Sequence, residues 1–240
     1  MSDADAAWVI IPARGGSKGI PRKNLAQVGG DPLVVRAIRA AGDASLVAKV
    51  IVSTDDSEIA DIAQAHGGDV VKRPADLSGD TASSESALEH AVEVLAQRSG
   101  AYPSVIALLQ CTAPFTTSTD IDGTLQPVIE GKADSAFAAA PFKHFVWESD
   151  NGGQAIGINH DGGPRTRRQD LEAQYLEAGS VYAMRYEAFR AAGYRFCGRT
   201  VMCEVPALHC FEIDTPEELS RAQALAHLHD DRMVITERNE

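Results

Sequence analysis

The chain has 240 residues, 44% of them apolar, four cysteines and a formal net charge of −12. This length is enough for one large domain with its own core, and the acidic balance argues against nucleic acid or an anionic membrane as a partner. No stretch approaches the roughly 18 apolar residues of a membrane helix, the acidic N-terminus does not match a secretory signal, and cysteines without CxxC or zinc-ligand spacing indicate reduced thiols, so we expect a cytoplasmic protein.

Short apolar segments alternate with helical patterns over the first 142 residues. Buried strands are predicted over 7–13 and 47–55, further strands over 104–110 and 133–142, and a short strand or extended segment over 69–74. Helices are predicted over 31–42, 56–68, 81–97 and 118–131, the last interrupted by Pro127. This order predicts an α/β fold with a three-layer, doubly wound and mainly parallel sheet, whose ligands bind beyond the carboxyl ends of the strands.

The alternation breaks from about 142 to 170, where glycines and alternating apolar residues end in a basic stretch. We interpret this segment as an inserted β-hairpin arm that forms an oligomer contact. The sheet is expected to resume over 178–184 and 204–214. A final helix is expected to begin at Pro216, with Thr215 as its cap and Glu218 completing a capping box.

A basic loop, IPARGGSKGIPRKN, follows the first predicted strand. Its cationic side chains are Arg14, Lys18, Arg22 and Lys23, and it contains no acid. Such a loop between a strand and a helix suits a polyphosphate, which an acidic protein attracts only through a local positive field. The alternative is a solvated turn whose charges have no ligand.

The glycines of the same loop are at positions 15, 16 and 19. We expect them to adopt positive φ angles and to let the backbone approach a ligand closely. The loop matches neither GxxxxGK[ST] nor GxGxxG, so it gives no support to a Walker A or a dinucleotide site.

IPARGGSKGIPRKN closely resembles the signature of the cytidylyltransferases that activate sialic acid and related nonulosonic acids. Five further segments resemble later blocks of that family in the same order, so that the resemblance covers nearly the whole chain: VSTDDSEIADIAQAHGGDVVKRPADLSGDTASS, LLQCTAP, RRQD, AGSVY and EIDTPEEL. It implies a single Rossmann-like nucleotidyltransferase domain over 1–240, a homodimer joined by the arm, and an enzyme that moves CMP from CTP to the anomeric hydroxyl of a 2-keto sugar acid.

The implied reaction is an in-line attack on the α-phosphate that requires Mg²⁺ and releases pyrophosphate. By similarity, the nucleotide is bound by Arg14, Gly15, Ser17, Lys18, Lys23, Asn24, Arg73, Ser84 and Gln110. Lys23, Arg14 and Asp214 are the implied catalytic residues. For Ser84 a helix cap is an equal alternative, and for Gln110 a purely structural amide is another.

Glu212 and Asp214 are the implied metal ligands. We expect them to alternate along a strand, which would direct both carboxylates to one face. Oxygen ligands of this kind suit Mg²⁺, and substrate phosphates complete its shell. The family usually has Asp at both positions, so Glu212 acts either directly or through water. The alternative for Asp214 is a carboxylate that merely favours a helix N-terminus.

The acceptor side departs from the family. The resemblance implies substrate contacts from Gln110, Arg167, Arg168, Gln169 and Gly179, with the arginines crossing to a neighbouring subunit. Sialic acid enzymes tend to have RPNGAIY where this chain has LEAGSVY, so that an Arg and an Asn are missing. The sugar acid therefore stays open. Cys111, which replaces a proline in LLQCTAP, is interpreted as a buried small residue and not as a nucleophile.

Three alternatives to this function stay open. The acceptor could be 3-deoxy-octulosonate or a sugar phosphate. A glycosyltransferase of similar fold usually has its acidic metal motif in mid-chain, whereas here the acidic pair comes near the end. A noncatalytic nucleotide-binding protein is the third, since Glu212 departs from the family's aspartate.

Overall fold

The computed structural model describes residues 6–17, 19–79, 82–164, 167 and 172–237. Its strands, in chain order, are β1 (Ala7–Pro12), β2 (Gln27–Val28), β3 (Asp31–Pro32), β4 (Val47–Thr54), β5 (Asp69–Lys72), β6 (Val105–Leu109), β7 (Ser135–Phe142), β8 (Trp147–Ser149), β9 (Ala155–Gly157), β10 (Gln174–Arg185) and β11 (Thr200–Glu204). Its α-helices are α1 (Leu33–Gly42), α2 (Ser57–Ala65), α3 (Ser84–Ser99), α4 (Ser118–Ile129), α5 (Tyr186–Ala192) and α6 (Pro216–Glu237). None of the helices in this described part is long and apolar enough to cross a membrane.

Seven strands form one sheet in the order β11-β7-β10-β6-β1-β4-β5. Among the described strands of this sheet, β10 alone runs antiparallel to its neighbours β6 and β7. The carboxyl ends of the other six strands therefore meet at one edge, together with the start of β10. Ligand sites of open α/β sheets lie at this edge.

Two hydrophobic clusters cover the two faces of the sheet, which makes the fold three-layered as predicted. Along β1, Val9 and Ile11 point to one cluster while Trp8 and Ile10 point to the other, because successive side chains of a strand alternate. Buried side chains of α1, α2, α4 and α6 pack on the first face, and those of α3 and α5 on the second.

The predicted strand over 204–214 is wrong. β11 ends at Glu204, a short 3-10 turn covers Ala207–Cys210, and residues 211–214 have no regular structure. Glu212 and Asp214 therefore do not alternate along a strand. Pro206 explains part of the difference, because proline cannot donate a ladder hydrogen bond and limits strand continuation.

The expected interruption of the fourth helix at Pro127 is also wrong. α4 continues through Pro127 to Ile129, so the proline lies in the last turn. The proline removes one backbone hydrogen bond, and the helix ends two residues after it, so that little helix continues beyond the proline. The helix begins with a complete capping box, in which Thr117 and Asp120 exchange hydrogen bonds.

The inserted arm contains the predicted hairpin. β8 and β9 pair antiparallel, with Trp147 opposite Gly157 and Ser149 opposite Ala155. Asp150 closes the turn, because its carboxylate accepts from the backbone N–H groups of Gly152 and Gln154 at 2.8 Å each.

Candidate active site

A polar cleft of about 250 Å³ opens at the carboxyl edge of the sheet, beyond the ends of β1 and β5. The sequence-predicted residues that line it are Arg14, Ser17, Lys23, Asn24, Arg73 and Ser84. Three cations thus share one cleft in a chain with a net charge of −12.

The basic loop is held at the cleft by hydrogen bonds within the loop and to two other segments of the chain. Arg14 donates from Nη1 to the carbonyl oxygen of Gly79 at 3.2 Å. The buried amide of Asn24 donates to the carbonyl oxygen of Arg14 at 3.0 Å. The backbone N–H of Gly15 donates to Asp55 Oδ1 at 2.9 Å, so this N–H faces protein and not the cleft.

The glycines of this loop work differently from the prediction. Gly15 and Gly16 have no positive φ, and among the described residues of the loop Arg22 is in the left-handed region, at φ 53°. Gly15 is instead required by close packing, because a Cβ there would stand 2.6 Å from Asp56 Oδ2. A Cβ at Gly19 would overlap the backbone carbonyl oxygen of Asp214.

Arg22 forms ion pairs with two carboxylates and does not line the cleft with the other cations. Its Nη2 lies 3.1 Å from Asp56 Oδ1 and 2.8 Å from Glu58 Oε2. The pKa of Asp56 is lowered, first by the hydrogen bond from the backbone of Ile59 and then by Arg22. Arg22 therefore helps to fasten the loop to α2. Lys18, the remaining predicted cation, lies outside the described residues.

Lys23 joins the cleft to the segment that precedes α6. Its Nζ donates to the carbonyl oxygen of Ile213 at 3.0 Å and to Asp214 Oδ1 at 2.9 Å. The lysine side chain is 15% exposed, whereas that of Asp214 is 70% exposed and open to a ligand. Glu218 accepts from the backbone N–H of Asp214 and of Thr215 at 2.8 Å, as the predicted capping box requires.

Arg73 is the most unusual side chain of the cleft. The residue is 6% exposed, and two guanidinium nitrogens, Nε and Nη2, have no hydrogen-bond partner in the described part of the chain. Burial lowers the pKa of Arg73, Asp55 opposes that shift, and Arg14 adds to it. Since buried charged groups are normally paired, a guanidinium in this state at a cleft wall suits an oxygen-rich ligand.

Ser84 lines the cleft as the first residue of α3. The helix cap is Ser83, whose hydroxyl accepts from the backbone N–H of Ser86 at 3.1 Å. The capping alternative for Ser84 is therefore wrong, since the neighbouring serine makes that bond.

The two expected metal ligands lie near each other despite the absence of a strand. Glu212 has a raised pKa, caused first by desolvation and then by the charges of Asp214 and Glu177, against a smaller opposite effect of Lys23. Crowded carboxylates of this kind favour a cation. No group of three or more His, Cys, Asp or Glu with metal-ligand geometry occurs among the described residues, but two carboxylates plus substrate phosphates are a usual Mg²⁺ site.

Gln110 and Gly179 are not among the residues that line this cleft. Gln110 follows β6, and its backbone N–H donates to the carbonyl oxygen of Ser180 at 2.9 Å. Gly179 has φ 62°, and a Cβ there would overlap the Glu212 carboxylate, so this glycine is required by conformation and by packing. Arg167 is exposed, whereas Arg168 and Gln169 lie outside the described residues.

Cys111 is buried, at 3% exposure, and burial raises the pKa of its thiol to about 12. It is therefore protonated at neutral pH and cannot act as a thiolate nucleophile, which confirms the prediction of a buried small residue.

Sequence reasoning missed several lining residues that carry no charge: Ser78, Gly79, Ser83 and Thr112. Thr112 falls within LLQCTAP and Gly79 just before TASS, so the resembling blocks marked their neighbourhood. Nothing in their residue types indicated a role. The contact between Tyr182 and Glu177 was missed as well.

This arrangement defines an α/β protein with a cleft lined by cationic side chains at the carboxyl ends of parallel strands. A family model described as cytidylyltransferase matches residues 8–237. The chain therefore belongs to the cytidylyltransferase family, whose members are nucleotidyltransferase enzymes.

Curated relatives agree with this family. A pseudaminic acid cytidylyltransferase of Campylobacter jejuni is 30% identical over 219 residues, covering 90% of this chain and 94% of its own. An N-acylneuraminate cytidylyltransferase A of Danio rerio is 35% identical over 181 residues, covering 74% of this chain and 41% of its own.

Solved structures agree on the fold. A CMP:2-keto-3-deoxy-manno-octonic acid synthetase complexed with CTP matches with a TM-score of 0.66 and 21% identity, over 93% of this chain and 99% of its own. A 2-C-methyl-D-erythritol 4-phosphate cytidylyltransferase from Thermus thermophilus matches with a TM-score of 0.61 and 18% identity, over 92% of this chain and 99% of its own. At these identities the likeness concerns the fold alone.

Proposed function

We propose that this protein transfers CMP from CTP to the anomeric hydroxyl of a 2-keto sugar acid of the nonulosonic type and releases pyrophosphate. The observation that carries the proposal is Arg73, a buried guanidinium with two nitrogens that have no hydrogen-bond partner among the described residues, at a cleft shared with Arg14 and Lys23. A triphosphate supplies the negative charge that this cleft requires, and its nucleoside supplies polar groups for Ser84 and Asn24.

In this reaction the protein needs only to position two anions and stabilise developing charge. Lys23 exchanges its contact with Asp214 for the α-phosphate and neutralises charge as the anomeric oxygen attacks. Arg14, Ser17 and Lys18 hold the remaining phosphates. Arg73 donates to the ribose or the base, and Gln110 contacts the nucleotide or the sugar.

Asp214 and Glu212 would hold Mg²⁺, with Asp214 as the better exposed ligand. The raised pKa of Glu212, caused by burial and by neighbouring carboxylates, supports a cation there. When bound, the ion would supply positive charge to the phosphates of CTP.

The pseudaminic acid enzyme of Campylobacter jejuni, at 30% identity over 90% of this chain, supports a nonulosonic acceptor. The LEAGSVY segment, which departs from the sialic acid pattern, agrees with an acceptor other than N-acetylneuraminate. Four free cysteines, two of them buried, support a reducing compartment such as the cytoplasm.

One assay tests the function. Purified protein is incubated with each nucleoside triphosphate, Mg²⁺ and a panel of acceptors, and pyrophosphate is measured. Release with CTP and a nonulosonic acid is the expected result. Release only with 3-deoxy-octulosonate or a sugar phosphate would reassign the acceptor, transfer from a preformed sugar nucleotide would indicate a glycosyltransferase, and CTP binding with no turnover would indicate a noncatalytic protein.

We further propose that the arm joins two copies of the chain. Large apolar side chains are exposed on the arm and on the adjoining start of β10: Trp147, Ile156, Ile158, Tyr175 and Leu176. Exposed apolar residues clustered in this way mark interfaces. For such a dimer, the family resemblance implies that Arg167, Arg168 and Gln169 contact the acceptor of the neighbouring subunit.

Light scattering during size exclusion tests the dimer. The wild type is expected at twice the chain mass and Ile158→Asp at the mass of one chain. Met202→Asp, at an equally exposed residue on β11, is the control and is expected to stay dimeric. A monomeric wild type would contradict the proposal.

A further inference from the structure

Glu177 lies where β10 extends past its neighbour. Residues Val181 to Arg185 pair with β6, from Leu109 to Val105. The earlier part of β10 pairs only with β7, with Glu177 opposite Ala139. Glu177 therefore stands beyond the carboxyl end of β6, at the ligand edge of the sheet, and it is exposed there.

A series of contacts between side chains holds the Glu177 side chain in place. The Tyr182 hydroxyl donates to Glu177 Oε1. The guanidinium of Arg195 lies 4.6 Å from the centroid of the Tyr182 ring. Arg195 in turn donates from Nε to Glu85 Oε1 at 2.7 Å, and their side chains are only 16% and 12% exposed. A buried ion pair of this kind holds the tyrosine, and the tyrosine holds one oxygen of the carboxylate.

This series of contacts begins beside the cleft that Arg14, Lys23 and Arg73 line. Glu85 follows Ser84, which lines the cleft, at the start of α3. At its other end, Glu177 lies two residues before Gly179, against which the Glu212 carboxylate packs, and the charges of Glu177 and Asp214 both act on Glu212. Three carboxylates therefore border this part of the sheet edge, and one of them, Asp214, contacts Lys23. Such a border repels a carboxylate and attracts N–H and O–H donors.

We propose that Glu177 is a specificity-determining residue that accepts a hydrogen bond from an N–H or O–H donor of the acceptor sugar, and that Tyr182 positions it. This inference rests on the proposed function. The proposal also fixes the orientation of the substrate. The carboxylate of the sugar acid must point away from β10, because the carboxylates there repel it.

Steady-state kinetics of pyrophosphate release test the proposal, with CTP and acceptor varied separately. The variants are Glu177→Ala, Tyr182→Phe and, as control, Glu187→Ala, an exposed glutamate of α5 at the opposite edge of the sheet. We expect Glu177→Ala to raise KM for the sugar acid about tenfold or more, because hydrogen bonds to charged groups are strong. KM for CTP should stay within about twofold in all three variants, and Tyr182→Phe should shift KM for the sugar acid less than Glu177→Ala.

A matched pair of acceptors identifies the donor. If Glu177→Ala affects an acylamido sugar acid more than its deaminated counterpart, the donor is the amide N–H; an equal effect assigns a hydroxyl, and both results support the proposal. An active wild type whose Glu177→Ala variant keeps its KM for the sugar acid, or raises both KM values together, would overturn the role of Glu177 alone. A wild type inactive with every sugar acid would overturn the proposed function and this inference with it.

Discussion

Lys23 Nζ lies 2.9 Å from Asp214 Oδ1, although the two residues are 191 positions apart. The contact joins the basic loop after β1 to the segment before α6. Gly19 packs directly on the Asp214 backbone, so that only a residue without a Cβ allows this approach. A cation and a metal-ligand candidate thereby meet at the wall of one cleft.

Lys23→Ala and Asp214→Asn are each expected to reduce kcat on the order of 10²–10³-fold, the usual loss when a group that stabilises transition-state charge is removed. Their melting temperatures should change little, since an ion pair with one exposed partner contributes less than about 1 kcal/mol. Pyrophosphate release and thermal unfolding are measured on the same samples.

Lys132→Ala is the matched control for these two variants. This lysine is 72% exposed and pairs only locally with Glu130. It should keep wild-type turnover. Near-normal rates in both Lys23→Ala and Asp214→Asn would contradict the site.

Gly19→Ala should lower kcat while leaving most of the fold intact. An added Cβ would overlap the Asp214 carbonyl oxygen, so the loop and the carboxylate segment must move apart. Gly42→Ala is the control, because a Cβ there meets nothing within 4 Å and Gly42 has no positive φ. Equal activity of the two variants would show that the close approach at Gly19 is dispensable.

Arg73→Met should weaken CTP binding about tenfold or more, because a charge-assisted hydrogen bond contributes roughly 1.5–3 kcal/mol. Without ligand, the variant should melt no lower than the wild type, since an incompletely paired buried charge is costly. Calorimetric titration with CTP and thermal unfolding measure the two effects. Lys72→Met, at the exposed preceding position, should keep CTP affinity, and unchanged affinity in Arg73→Met would remove Arg73 from the site.

Glu212 should make stability depend on pH. Its pKa is raised in the folded protein by burial and by Asp214 and Glu177, so the folded state binds the proton more tightly than the unfolded chain. The protonated Glu212 side chain therefore favours the folded state. This contribution to stability is complete below the ordinary pKa of glutamate and is lost as the pH rises through the pKa of Glu212 in the folded protein.

Glu212→Gln should therefore melt higher than the wild type at about pH 7.5 and at the same temperature at about pH 4. Glu89→Gln, at an exposed position of α3, should match the wild type at both. A Glu212→Gln variant that melts lower at neutral pH would show that the folded protein stabilises the ionised Glu212 carboxylate, which would contradict its raised pKa.

Several features of the fold followed from local patterns. The alternation of apolar strands and amphipathic helices predicted β1, α1, β4 and α2, because each element carries its own periodicity. The capping box at Thr215 was equally local, since its hydrogen bonds span three residues. The strand expected through Glu212 and Asp214 was wrong, because an apolar run near Pro206 does not reveal whether a neighbouring strand is available for pairing.

The sequence by itself determined the chemistry of this protein: a cationic loop after a buried strand, acids near the end of the chain, and a block order shared with one enzyme family. Only the tertiary structure decided which side chains meet. It fastened Arg22 to α2, left two nitrogens of Arg73 without partners among the described residues at the cleft, and brought Asp214 to Lys23. Charge and periodicity are local properties of a chain, whereas contacts between distant segments depend on packing that no local pattern records.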